Sequence, residues 1–261
     1  MEIVLFSAIA GIGGMGLGGL ISAILLKRPS ETMICWLLSF AAGVMISIVC
    51  FGLIPETLEL ANAPVSILGL ALGIVIIMIL NRIVDRITET REEKLKVHRT
   101  HEELYHGSQF IKDRAKMLRS GVLMLIAIGL HNIPEGIAIG AGGTLDYRLG
   151  LLLAVMIAIH NVPEGMAIAA PLLAGGINRW KTVFLTAVCG ATTLLGGFIG
   201  IVIGGISDFA IALSLSAAGG AMLYIVFGEM MPQAIVMTKN RLPSVITLFG
   251  IIVGLIATKI H

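Results

Sequence analysis

Apolar residues come along the chain in eight long runs, near 3–26, 34–57, 64–84, 117–143, 149–172, 180–204, 208–232 and 243–260. Each is close to the ~20 residues that a helix needs to cross the hydrocarbon of a bilayer. The polar stretches between them are short and carry turn residues or charge: KRPSE at 27–31, ANAP at 61–64, LDYR at 145–148, GGINRW at 175–180, ISD at 206–208 and KNRLP at 239–243. Only 85–116 is a long polar segment. The pattern predicts an all-α integral membrane protein, with eight transmembrane helices in a single domain over 1–261 and a cytoplasmic, histidine-containing loop at 85–116.

Composition excludes the soluble alternative. The chain is 57% hydrophobic and 13% charged, with a mean hydropathy of +0.98, well beyond a soluble domain. The lipid bilayer is its expected partner, and nucleic acid is not. Aromatic residues make up only 5% while glycine reaches 32 residues, so the helices are expected to pack closely through small side chains. Cys35, Cys50 and Cys189 lie in apolar stretches without the spacing of a metal finger and read as free thiols. Residues 3–26 lack a basic leader, so the first helix is expected to stay in the mature protein. With both termini outside the cell membrane, every Lys and Arg except Arg148 and Lys259 falls in or beside an inside loop, as cytoplasmic loops favour.

Two internal repeats emerge. Residues 38–56 align without a gap to 215–233, an offset of 177, and Leu38, Ser39, Ala41, Gly43, Met45, Ile48, Val49 and Pro55 recur. The same offset carries the first span onto the sixth (Ala10 to Ala187, Gly13 to Gly190, Gly19 to Gly196) and the third onto the eighth. Five spans separate the copies, so the two triplets cross the membrane in opposite directions. Such inverted repeats are typical of secondary transporters, which hold substrate near the bilayer midplane. The second repeat is shorter: HNIPEGIAIG at 131–140 and HNVPEGMAIA at 160–169, on consecutive spans four and five. These two form the expected central antiparallel pair.

The decapeptides carry the chemistry. His131 and Glu135 are four residues apart and share a helix face, with Asn132 beside them; His160, Asn161 and Glu164 repeat the arrangement. An ionised carboxylate in mid-bilayer costs a few kcal/mol and usually faces a cavity or a partner. One such motif can be a buried ion pair, but packing does not require four ionisable groups at one depth. Imidazole with carboxylate suits a divalent transition ion such as Zn²⁺, Fe²⁺ or Mn²⁺, whose charge two glutamates neutralise. His131, Glu135, His160 and Glu164 are then the strong ligands, with Asn132 and Asn161 as weaker donors or supports; a proton relay would draw on the same groups. Pro134 and Pro163 each remove a helical hydrogen bond and free the carbonyls of Leu130 and Ile159. Gly136 and Gly165 permit close approach.

Other candidates are less specific. Met45 and its repeat mate Met222 read first as packing residues, although a thioether is also a soft ligand for a transition metal in transit. Glu56 and Glu59 at the outer end of span two read equally as a cation-gathering entrance or as a plain solvated rim. Glu229 is a lone carboxylate in an apolar run and reads as a pathway or proton-handling group. His98, His101 and His106 give the polar loop a weak metal-collecting character, or are simply part of a solvated helix.

At this point the chain resembles the ZIP family of divalent metal transporters, in its short prokaryotic branch. The likeness covers nearly the whole chain: eight spans, outward termini, a His-bearing third loop, FAAGVM at 40–45, and HNIPEG followed by HNVPEG. It implies a carrier, often dimeric, that brings Zn²⁺, Fe²⁺ and related ions (Mn²⁺, Co²⁺, Cd²⁺) into the cytoplasm by alternating access, with no prosthetic group and no enzymatic step. It also implies that His131, Asn132, Glu135, His160, Asn161 and Glu164 line the transport site, with Met45 above it. Some relatives hold two ions, using an acidic residue in place of Asn161 and a glutamate where this chain has Thr193; here one principal ion is expected. Gln233 stands where the family usually carries a second glutamate on span seven. A cation channel would share the ligands. An intramembrane metalloenzyme is the weaker alternative, because H-E-x-x-H and a serine-nucleophile motif are both missing from the sequence.

Overall fold

A computed structural model describes residues 2–26, 30–88, 114–203, 208–238 and 240–259, and every regular element among them is helical. In chain order these are α1 (Glu2–Leu25), α2 (Glu31–Leu60), α3 (Ala63–Thr88), α4 (Arg114–Leu145), α5 (Tyr147–Ala174), α6 (Arg179–Ile203), α7 (208–237) and α8 (Leu242–Lys259). Seven are long and apolar enough to cross a membrane, and α8 holds a shorter apolar stretch, Leu242–Ile256. Large apolar side chains such as Ile67, Phe184, Val202 and Leu248 are exposed on the outside. A water-soluble monomer does not leave so much apolar surface uncovered; the chain is a multi-pass membrane protein.

Short polar residues set the helix starts. The side chains of Ser30, Asn62, Asp146, Asn178 and Asn240 accept from the backbone N–H of Met33, Val65, Arg148, Trp180 and Leu242, satisfying donors that the first turn leaves over. Asp146 is the whole connection between α4 and α5, so these two run antiparallel as a helical hairpin. After α5, Gly176 takes a positive φ of 91° and the Ile177 N–H reaches back to the Leu172 carbonyl, a glycine-dependent helix stop. Helix occupies both ends of the polar segment expected at 85–116, since α3 runs to Thr88 and α4 begins at Arg114. His98, His101 and His106 lie outside the described residues.

Among the described residues, three helices contain a π turn: Ile9–Gly13 in α1, Val49–Leu53 in α2 and Val226–Met230 in α7. The last two are 177 positions apart, and each is followed by a proline, Pro55 or Pro232, at the start of the next α-helical segment. A proline has no N–H to give and its ring crowds the carbonyl four residues back. Here those carbonyls belong to Phe51 and Gly228, inside the widened turns. Pro134 and Pro163, in contrast, sit within continuous α-helix.

Packing divides the molecule into two bundles. In one, α4 lies against α5 and α6, and α1 against α5 and α6; in the other, α2 lies against α7 and α8, and α3 against α7. The bundles meet chiefly through α2 with α5 and α4 with α7. Small residues set the crossings. A Cβ on Gly43 would meet the Thr247 carbonyl, and one on Gly220 the Leu70 carbonyl; Gly250 abuts the Phe40 carbonyl as Gly73 abuts that of Ala217. Both sets of counterparts are 177 apart. At α1 and α6 the register differs from the sequence alignment by one residue: Gly18 abuts the Val162 carbonyl as Gly196 abuts that of Ile133, an offset of 178. Glycine doublets at 18–19 and 196–197 let the alignment match in either register; the contacts of Gly18 and Gly196 follow the second, while Gly11 and Gly190, which abut each other's carbonyls at the π turn of α1, pair at 179.

Candidate metal centre

The α4–α5 hairpin brings both decapeptides into the middle of one bundle. His131, Asn132, Glu135, His160, Asn161 and Glu164 are all buried, none more than 4% exposed. Each histidine reaches the glutamate of the other helix: His131 Nε2 lies 3.0 Å from Glu164 Oε1 and His160 Nε2 lies 2.9 Å from Glu135 Oε1. Within α4 the His131–Glu135 separation is longer, 3.7 Å. One ligand atom from each of His131, Glu135 and Glu164 falls within 4.8 Å of the others, a span that one cation can bridge. His160 touches this trio through Glu135.

The helices behind the hairpin fix its depth. Gly136 faces the Thr193 carbonyl on α6, and Gly165 faces the Met15 carbonyl on α1, each too close for a side chain in between. Asn161 points at α1 as well, its Nδ2 donating to the carbonyl of Ala10 at 2.9 Å. Ala10 lies in the π turn of α1, and such turns recur at functional sites. This bond turns half of the Asn161 amide away from the histidine–glutamate group and leaves Oδ1 without a protein partner.

Buried polar atoms are normally paired, because leaving them bare costs free energy. Around this centre six have no protein partner: His131 Nδ1, both side-chain atoms of Asn132, Glu135 Oε2, Asn161 Oδ1 and Glu164 Oε2. Elsewhere among the described residues such atoms are scattered hydroxyls and one glutamine oxygen. All of these except the Asn132 Nδ2 donor can offer a lone pair to a cation.

The remaining candidates are not drawn into this group. Met45 is fully buried on α2, in the same apolar cluster as Met222 and Met15. Glu56 and Glu59 are exposed near the end of α2. Glu229, in the π turn of α7, belongs to a separate polar network. Its Oε1 accepts from Asn81 Nδ2 at 3.3 Å; its Oε2 accepts from Ser120 Oγ and Gln233 Nε2, both at 3.4 Å. Gln233 Nε2 also donates to Ser120 Oγ, Asn81 Nδ2 to the Tyr224 hydroxyl, and Arg119 Nη2 to Asn81 Oδ1. The sequence reading missed this network. Asn81, Ser120 and Gln233 interrupt three separate apolar runs, and only packing brings them together.

Comparison with known proteins bears on the same residues. A family model described as ZIP zinc transporter matches residues 81–258, more than half of the chain and both decapeptides. The chain belongs to the ZIP family. ZIP members are transporters and not enzymes, and divalent metal transport is accordingly its class of activity. Three similar ZIP relatives are each named zinc transporter ZupT. That of Corynebacterium efficiens is 31% identical over 84% of this chain and 82% of its own length. That of Salmonella paratyphi A is 31% identical over 91% and 87%. That of Corynebacterium glutamicum is 30% identical over 92% and 90%.

Proposed function

We propose that the protein is a carrier that imports zinc into the cytoplasm, holding the ion between α4 and α5 on His131, Glu135 and Glu164, with His160 completing the site and Asn132 and Asn161 supplying oxygens. The observation that carries the reading is the reciprocal reach of each histidine to the opposite glutamate, amid bare buried lone pairs. Two carboxylates cancel a divalent charge, and the histidine–carboxylate mixture favours zinc over magnesium or calcium. Fe²⁺, Mn²⁺, Co²⁺ and Cd²⁺ satisfy the same donors and are expected as competing cargo. The zinc named in its relatives makes zinc the first ion to test.

Alternating access is supported by the division into two bundles and by the counterpart contacts at 177 and 178, as an inverted repeat requires. The distribution of Lys and Arg supports outward termini. In that orientation an inside-negative potential favours entry, by about 4.6 kcal/mol for a divalent ion at ~100 mV. A homodimer is compatible with the exposed apolar faces and is not needed for the site.

In proteoliposomes, Glu135→Ala and Glu164→Ala are each expected to abolish zinc uptake, and in detergent to remove high-affinity zinc binding, while the protein still inserts. Undiminished transport by both would sink the central site. Joint replacement of His98, His101 and His106 should have a milder effect. Saturable uptake without single-channel currents separates a carrier from a channel with the same ligands.

A further inference from the structure

The network around Glu229 crosses the boundary between the bundles. Ser120 and Arg119 belong to α4, in the bundle with the metal centre; Asn81, Glu229 and Gln233 belong to α3 and α7, in the other. Ser120 is clasped from two sides, donating to Glu229 Oε2 and accepting from Gln233 Nε2, while Arg119 reaches Asn81. We propose that Asn81, Ser120, Glu229 and Gln233 form a latch between the bundles that must part once in each transport cycle, and that its strength sets the turnover rate. The proposal rests on the alternating-access reading above.

Three features single this contact out. The corresponding contact on the other side of the repeat, α2 against α5, is crossed by no side-chain hydrogen bond among the described residues. The repeat explains the difference: an offset of 177 takes Glu229 back to Gly52, which has no side chain, and Gln233 back to Glu56, which is exposed. Among the described residues, only one of the two contacts related by the repeat is fastened by side-chain hydrogen bonds. That contact lies at the basic ends of α3 and α4, beside Arg82 and Arg119, which is the inner side in the orientation proposed.

The second feature is the π turn Val226–Met230, which carries Glu229 and precedes Pro232. It supplies a place where α7 can change its hydrogen-bond register without unfolding. The third is incompleteness. Gln233 Oε1 is buried without a protein partner, and a polar network with one oxygen bare holds less firmly than a fully satisfied one. A contact that must reopen in every cycle has to be of this kind.

The test is a reversible cross-link. Ser120→Cys and Gln233→Cys are introduced together, with Cys35, Cys50 and Cys189 replaced by alanine, and bridged in proteoliposomes by a short bis-methanethiosulfonate reagent. Zinc uptake should be lost on bridging and return with dithiothreitol, while the bridged protein in detergent still binds zinc. A bridged protein that transports at the unbridged rate overturns the latch. Because the bridged protein keeps its zinc binding whereas Glu135→Ala loses it, a failure of the latch is distinguishable from a failure of the metal centre. In the native background, Ser120→Ala should raise the maximal uptake rate on the order of fivefold, as removal of one hydrogen bond from a limiting opening step would, with zinc affinity unchanged. A slower or unchanged rate contradicts the proposal. So does a lower zinc stoichiometry in Glu229→Gln, which would make that carboxylate a ligand.

Discussion

An imidazole nitrogen can hold a metal only when it is bare, yet it bonds a carboxylate oxygen by donating a proton. His131 and His160 both face carboxylate oxygens through Nε2, so in the proposed site zinc would compete with a proton for the same two atoms. Zinc titrated into the detergent-solubilised protein in weak buffer is therefore expected to release protons, and its affinity should fall as the medium is made acidic. A flat affinity from mildly alkaline to mildly acidic conditions would argue against histidine ligation. Asn161 makes a second case. Removing its donor to Ala10 in Asn161→Ala should weaken zinc binding roughly 10- to 100-fold, the usual cost of losing a group that orients a metal site, measurable by equilibrium dialysis. The residue types of this centre were legible in the sequence because ionisable groups in an apolar run have few other reasons to be there. Their pairing was not. Four-residue spacing suggests that His131 answers Glu135 on its own helix, whereas the closer contacts run across the hairpin.

At the level of helices, packing is limited by how closely backbones can approach. Gly165 and the Met15 carbonyl leave no room for a methyl group, while Gly13 has only Ile9 Cγ2 nearby, at 3.8 Å. Gly165→Ala is thus expected to cost about 1–3 kcal/mol by overpacking and to lower the thermal midpoint in detergent, with Gly13→Ala close to neutral. Equal effects would mean that α1 and α5 adjust freely. Helical spans were readable because lipid imposes a length and leaves no water to satisfy a broken backbone. The π turns were not, since a widened turn has no composition of its own. Pro55 and Pro232 coincide with them, yet Pro134 and Pro163 sit in unbroken helix, so proline alone does not announce the feature.

For the whole molecule, the orientation proposed from the placement of Lys and Arg can be checked from outside. Of single cysteines at Asp146 and Asn178, in the background lacking the native thiols, an impermeant maleimide should label the one at Asp146 in intact cells and the one at Asn178 only after the membrane is opened. Labelling of both from one side would refute the orientation. The all-helical membrane architecture and its repeat were legible from periodicity. What could not be read is how the halves interlock: a one-residue change of register at α1 and α6 is invisible where glycines come in pairs, and the contact between α4 and α7 joins residues more than a hundred positions apart. Asp146, the single residue joining α4 to α5, bears on biosynthesis. Both halves of the candidate metal centre, and the π turn of α1 that steadies Asn161, are synthesised before any part of α6, α7 or α8. A chain ending just after Gly176 already contains every proposed ligand, so such a fragment, inserted in a bilayer, is expected to bind zinc without α6, α7 or α8.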